Sequence, residues 1–99
     1  MSLSGSASAA TSELCGTSAP DKDSSSWSVK TGWAEMRNGP STSCALVSIA
    51  TLGSRLDYHC YRAAGTSFWT YLRNDSASPD LYGWVRNTEL TDGGSSATC

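Results

Sequence analysis

Residues 33–44 read WAEMRNGPSTSC. The centre of this stretch is turn chemistry: Asn38-Gly39 favours a positive φ, and Pro40 sets the following φ near about −65°. A turn of this kind asks for extended chain on both sides. Upstream, WSVKTGWAEMR (27–37) carries Trp27, Val29 and Trp33 in the alternation of a half-buried strand pair. Downstream, LVSIATL (46–52) is mostly apolar. Its β-branched Val47 and Ile49 suit an extended run, with a short helical turn as the alternative.

Farther out the same signals recur. RLDYHCYR (55–62) alternates, with Leu56, Tyr58 and Cys60 on one face and Asp57, His59 and Tyr61 on the other. After the turn AAGT (63–66), SFWTYLR (67–73) places Trp69 and Tyr71 on one face and Phe68, Thr70 and Leu72 on the other. NDSASPD (74–80) is a loop, and LYGWVRNTEL (81–90) is a last strand running into a short helical or 3₁₀ turn. About five short strands in roughly 60 residues predict an all-β chain, a small β-barrel. Residues 1–26, rich in Ser, Ala, Gly and Asp, read as a flexible leader pinned at Cys15, ahead of a barrel and tail over 27–99.

Ninety-nine residues leave room for one small domain, and 38% hydrophobic content gives it a modest core that covalent ties would help. The net charge of −2 hides an asymmetry. From Trp27 to Leu90, Lys30 and five arginines face Glu35, Asp57, Asp75, Asp80 and Glu89, leaving +1, while Glu13, Asp21, Asp23 and Asp92 sit in the flanks. A body so near neutrality lacks the footprint of a nucleic-acid binder and the basic run that holds an anionic membrane. No apolar run reaches the length of a membrane span, and MSLSGSASAATSE (1–13) has neither the basic start nor the apolar stretch of a signal peptide.

Cys15, Cys44, Cys60 and Cys99 are an even set without a C-x-x-C pair, and the one histidine, His59, adjoins Cys60. Such spacing argues against structural zinc and a redox-active dithiol, so neither a metal nor another cofactor is expected. It suits two disulfides in an oxidising compartment. Three pairings are open. The expectation taken is Cys44 with Cys60, closing a loop of about 17 residues worth roughly 3 kcal/mol, with Cys15 and Cys99 tying the flanks together.

Catalysis is not expected. Asp57 and His59 share a side of one strand, but no G-x-S-x-G or other marked nucleophile accompanies them. Asp75 and Asp80 lie in a polar loop where they stay ionised. DGGSS (92–96) lacks the lysine and the following helix of a phosphate loop.

The run AEMRNGPSTSCALVSIATLGSRLDYHCY (34–61), then WTYLRND (69–75), then YGWVRNTEL (82–90), resembles a bacterial SH3-like domain of the secreted, disulfide-containing actinobacterial type. The correspondence falls on Met36-Arg37-Asn38-Gly39-Pro40, Gly53, Trp69 with Leu72, Gly83-Trp84-Val85 and Leu90. Three positions depart from it. Ala34 stands where a larger apolar residue is usual, Ala50 replaces a usual Leu with Ile49 beside it as compensation, and Cys44 takes an aromatic position.

The resemblance implies a small SH3-like barrel acting as a secreted or cell-wall-associated binding module that recognises peptidoglycan peptide or glycan. Its groove is expected between Arg37–Cys44, the turn Arg62–Ser67 and the segment Trp84–Glu89. Trp33, Tyr61 and Tyr71 are the candidates for an exposed shelf that stacks on sugar faces or packs against peptide. Trp69 and Trp84 match barrel-supporting positions, and Trp84 also borders the expected ligand groove. Arg37, Arg62 and Arg86 are the groups to hold carboxylates, with Arg37 alternatively holding loop carbonyls. A protein-binding effector or inhibitor is the alternative, marked by a compact exposed apolar patch.

Overall fold

The computed structural model describes residues 14–99; the part of the expected leader that falls on residues 1–13 lies outside the described residues. Six antiparallel strands form one sheet. They are β1 (Ser26–Trp27), β2 (Trp33–Arg37), β3 (Leu46–Thr51), β4 (Leu56–Ala64), β5 (Ser67–Asn74) and β6 (Leu81–Arg86), followed by a 3₁₀ turn at Asn87–Glu89. Their spatial order is β1-β4-β5-β6-β2-β3. The all-β expectation holds. The sheet is open, however, because no ladder joins its end strands β1 and β3. Among the described residues no helix is long and apolar enough to cross a membrane.

Local chemistry accounts for the hairpins. Ala64 and Ser67 face each other across a two-residue turn, and Gly65 takes the positive φ of 62° that such a turn requires. In the β2–β3 ladder Ala34 lies directly opposite Ala50, and both are buried. The two small residues therefore answer each other across the ladder. Ile49 pairs with Glu35 and is exposed, so it does not compensate for Ala50.

Gly39 behaves differently from expectation. Its φ is not positive. A methyl group there would meet Cys15 Cα at 2.6 Å, Cys44 Sγ at 2.6 Å and Leu14 O at 2.9 Å. Close approach of another chain segment, not turn geometry, requires glycine at this position.

In β4 the register slips between Tyr58 and Cys60. Tyr58 opposes Leu72, whereas Cys60 opposes Tyr71, the residue before it on β5. The inserted residue, His59, thus moves Cys60 onto the face of Trp69 and Tyr71. This overturns the expected grouping of Cys60 with Leu56 and Tyr58.

Each face of the sheet buries its own apolar layer. The main core joins Val29, Ala34, Met36, Ala50, Leu56, Tyr58, Leu72, Val85 and Leu90. The opposite face carries Trp69, Tyr71 and Trp84, packed against Ala19, Ala64 and Cys99. Residues 14–25 cross this second layer as a strap. Gly16 N donates to Asn38 O (2.7 Å), Trp84 Nε1 to Thr17 O (3.0 Å) and Lys22 N to His59 O (2.9 Å). Tyr58 N in turn donates to Ser25 O at 3.1 Å. The described half of the expected leader is therefore hydrogen-bonded to the sheet.

The disulfides are Cys15–Cys44 and Cys60–Cys99, which corrects the expected Cys44–Cys60 pairing. The strand order explains it. Cys44 precedes β3 at one end of the sheet, while Cys60 lies on β4 with β5, β6 and β2 in between. Each cysteine is instead met by a flank: the strap passes Cys44, and the tail runs beside β4 through Tyr61 N→Ala97 O (2.7 Å) and Cys99 N→Tyr61 O (2.8 Å). Two disulfides with no free cysteine among the described residues point to an oxidising, non-cytoplasmic environment.

Candidate functional site

The second face also carries a groove of about 530 Å³. Period-two alternation along β2 aims Trp33, Glu35 and Arg37 into it; β5 adds Trp69, β6 adds Arg86, and the 3₁₀ turn adds Glu89. Trp33 is 59% exposed and forms an open indole wall. Trp69 and Arg86 are cross-strand partners, and the Arg86 guanidinium carbon stands 5.2 Å from the indole centroid, a cation–π contact. Arg37 donates from Nη1 to Cys44 O (2.9 Å) and pairs through Nη2 with Glu35 (2.5 Å). Its guanidinium thus holds the loop carbonyl, as the sequence reading allowed.

A second cavity of about 500 Å³ continues around Trp69 and Arg86, bordered by Pro40–Thr42 and by the turn Ala63–Ser67. Thr42, Trp69 and Arg86 line both spaces. Parts of the three segments expected around a groove, Pro40–Thr42, Ala63–Ser67 and Arg86, line this second cavity. Arg62 flanks Trp69 on the strand opposite Arg86. Both arginines bury a side-chain Nε that has no hydrogen-bond partner among the described residues.

Of the residues singled out from the sequence, Trp33, Arg37 and Arg86 come together here, with Arg62 across Trp69. Tyr61 is half-buried opposite Thr70, its ring edge-on to Phe68 at 5.9 Å. Tyr71 is buried in the second apolar layer and so does not belong to the expected shelf; Trp84, expected as support that also borders the groove, is buried beside it and lines neither cavity. The strap is the reason, and its packing left no mark in the local alternation. Trp69, expected only as support, also walls the groove. Glu35 and Glu89 were not singled out; both make the groove amphoteric.

A separate polar cluster lies where the strap meets β4. His59 Nε2 stands 3.6 Å from Asp57 Oδ2 and 3.7 Å from Asp21 Oδ2. The three ligand-type atoms all lie within 4.8 Å of one another. Arg73 Nη2 reaches Asp57 Oδ2 at 3.4 Å, while its Nε engages Asp75 at 2.5 Å and faces Asp80 at 3.8 Å. Burial, reinforced by the negative charge of Asp21, holds the Asp57 carboxyl above its ordinary range against the pull of Arg73 and His59. Asp57 and His59 on one side of a strand were legible in the sequence. Asp21, 36 positions upstream of Asp57, was not.

Comparison with protein families, with curated proteins and with solved structures finds no match to this chain. The functional reading therefore rests on the residues themselves.

Proposed function

We propose that the chain is a non-catalytic, secreted binding module of the bacterial SH3-like kind, whose groove takes cell-wall peptide or glycan. One observation carries this reading: an open indole (Trp33) stands in one groove with Arg37, Glu35, Glu89 and an Arg86 that stacks on the buried indole of Trp69. Flat rings contact sugar faces or peptide over a large area at little entropic cost. Arginines suit carboxylates, and Glu35 with Glu89 suits an amine, so an amphoteric wall peptide matches both sets of charges. Burial of Trp69, Trp84 and Leu90, three positions of the family pattern, supports the SH3-like reading of the sheet.

The test is co-sedimentation of the oxidised protein with purified bacterial cell walls. Binding is expected to survive a rise from about 0.15 M to about 0.5 M salt, because contacts inside a groove are screened less than surface charge. Trp33→Ala and Arg86→Gln are each expected to deplete the pellet. Absence of sedimentation by the folded wild type rejects the reading.

A second reading, a protein-binding effector, is favoured by one specific feature. The end strand β3 carries exposed Leu46, Val47 and Ile49, with exposed Leu52 beyond it, and its outer edge has no strand partner among the described residues. Such an edge accepts an added strand from a partner. In that case wall binding fails, and the amides of residues 46–51 gain exchange protection on complex formation.

A further inference from the structure

We infer that Asp21, Asp57 and His59 form a binding site for one zinc-class divalent cation, which clips the strap onto β4. The spacing of cysteines and the lone histidine gave no such indication, because the third donor arrives only through the fold.

His59 carries the inference. Its side chain is 8% exposed, and its buried Nε2 has no hydrogen-bond partner among the described residues. That nitrogen points at two carboxylate oxygens, at 3.6 and 3.7 Å, beyond hydrogen-bond reach for either. Ring contacts hold the imidazole in this attitude: Tyr71 and Tyr82 meet it edge-on at centroid distances of 5.4 and 5.8 Å. Nδ1 faces the Ala19 carbonyl at 3.5 Å. A proton on Nδ1, turned toward that carbonyl, leaves the Nε2 lone pair facing the carboxylates, the arrangement common among metal-ligating histidines.

The geometry suits a small cation. Metal–ligand bonds of about 2.0–2.2 Å bring donor atoms to roughly 3–3.5 Å from one another. The His59 separations need to close by only part of an ångström from 3.6 and 3.7 Å, and all three donors already lie within 4.8 Å of one another. One imidazole and two carboxylates match zinc and its neighbours better than calcium or magnesium, which take oxygen donors. The ion-paired groups Asp21, Asp57, Asp75, Asp80 and Arg73 sum to a formal −3, so a divalent cation relieves crowding that Arg73 alone leaves. Asp21, 49% exposed, leaves a solvent side for a water as fourth ligand. Hydrogen bonds already seat the strap on either side of Asp21, through Trp84 Nε1→Thr17 O and Lys22 N→His59 O.

The site lies apart from the groove, and the inference stands whether or not the wall-binding reading does. The test uses the oxidised full-length chain without a polyhistidine tag, stripped with EDTA. Zn²⁺ is titrated calorimetrically, and Co²⁺ is followed by visible absorption. The expected result is saturable 1:1 binding, a d–d band on Co²⁺ addition, and a rise in thermal midpoint that EDTA reverses. Asp21→Asn changes only the half-exposed donor and is expected to keep the fold. It is expected to weaken binding at least about tenfold, the lower bound for losing even an outer-shell partner. Asp80→Asn removes an equal charge from the same cluster without touching a donor, and is expected to leave affinity nearly unchanged. No saturable binding by the folded wild type overturns the inference. Undiminished affinity in Asp21→Asn, or equal weakening in both variants, overturns it as well.

Discussion

Gly39→Ala is the sharpest probe of the way the strap seats on the sheet. The added methyl lands 2.6 Å from Cys15 Cα, 2.6 Å from Cys44 Sγ and 2.9 Å from Leu14 O. Favourable carbon contacts begin at about 3.5 Å. Two of these atoms are main chain and the third is a disulfide sulfur, so no flexible side-chain tip can swing aside. Overpacking of this kind costs about 1–3 kcal/mol. Restricting the unfolded chain offsets about 0.4–1 kcal/mol of that. The net expectation is about 1–2 kcal/mol of destabilisation. With a urea slope of about 1–3 kcal/mol/M, the unfolding midpoint falls by roughly 0.3–2 M.

A double-mutant cycle isolates the cause. In a Cys15→Ser/Cys44→Ser background the strap is free to lift, and the cost of Gly39→Ala is expected to shrink by about 1 kcal/mol. A cost below about 0.5 kcal/mol in the native background refutes the close-approach explanation, as does an equal cost in both backgrounds.

Other consequences are as direct. Replacing Cys60 and Cys99 by Ser opens a loop of sequence separation 39; the chain-entropy relation gives a loss of about 4 kcal/mol, and hydrogen exchange should report unprotected amides at Tyr61 and Cys99. Leu72→Ala, at a fully buried core position, should cost about 2–5 kcal/mol in urea unfolding. Burial opposes ionisation of Asp23, but hydrogen bonds from Ser25 N, Ser25 Oγ and Ser95 Oγ outweigh it and hold the carboxyl below its ordinary value. That stability is present above the unfolded pKa and is lost as pH falls through the lower folded one. In EDTA, Asp23→Asn should therefore be less stable than wild type at neutral pH, and the difference should vanish in the acid limb. Trp33→Ala, at a largely exposed ring, should leave the urea midpoint within about 0.5 kcal/mol of wild type while reducing wall binding.

The strands, the hairpin at Gly65, the loop before Leu81 and the closing 3₁₀ turn were legible because each is written in a few adjacent residues. Alternation, β-branching and turn chemistry act over that range. The bulge at His59 escaped because an unbroken alternation and a bulged one read alike. Of the groove, only the turn at 63–66 was legible for the same local reason; Arg37 and the bordering segments were expected from the family resemblance, and that Trp33, Glu35 and Arg37 face one way along β2 came with the structure. The rest required knowing which strands lie side by side.

By itself, the sequence determined an all-β chain, an even set of cysteines without a C-x-x-C pair, and a strand body of nearly balanced charge. Only the tertiary structure decided that β4 and β3 stand apart, and so that Cys44 turns to Cys15 and Cys60 to Cys99. It alone laid the strap over Tyr71 and Trp84, removing Tyr71 from the expected exposed shelf, and brought Asp21 beside Asp57 and His59. The physical reason is one of range. A residue's conformational preference is set by its own side chain and its near neighbours, whereas a disulfide, a covered ring and a three-donor cluster depend on segments that meet only after the sheet has formed.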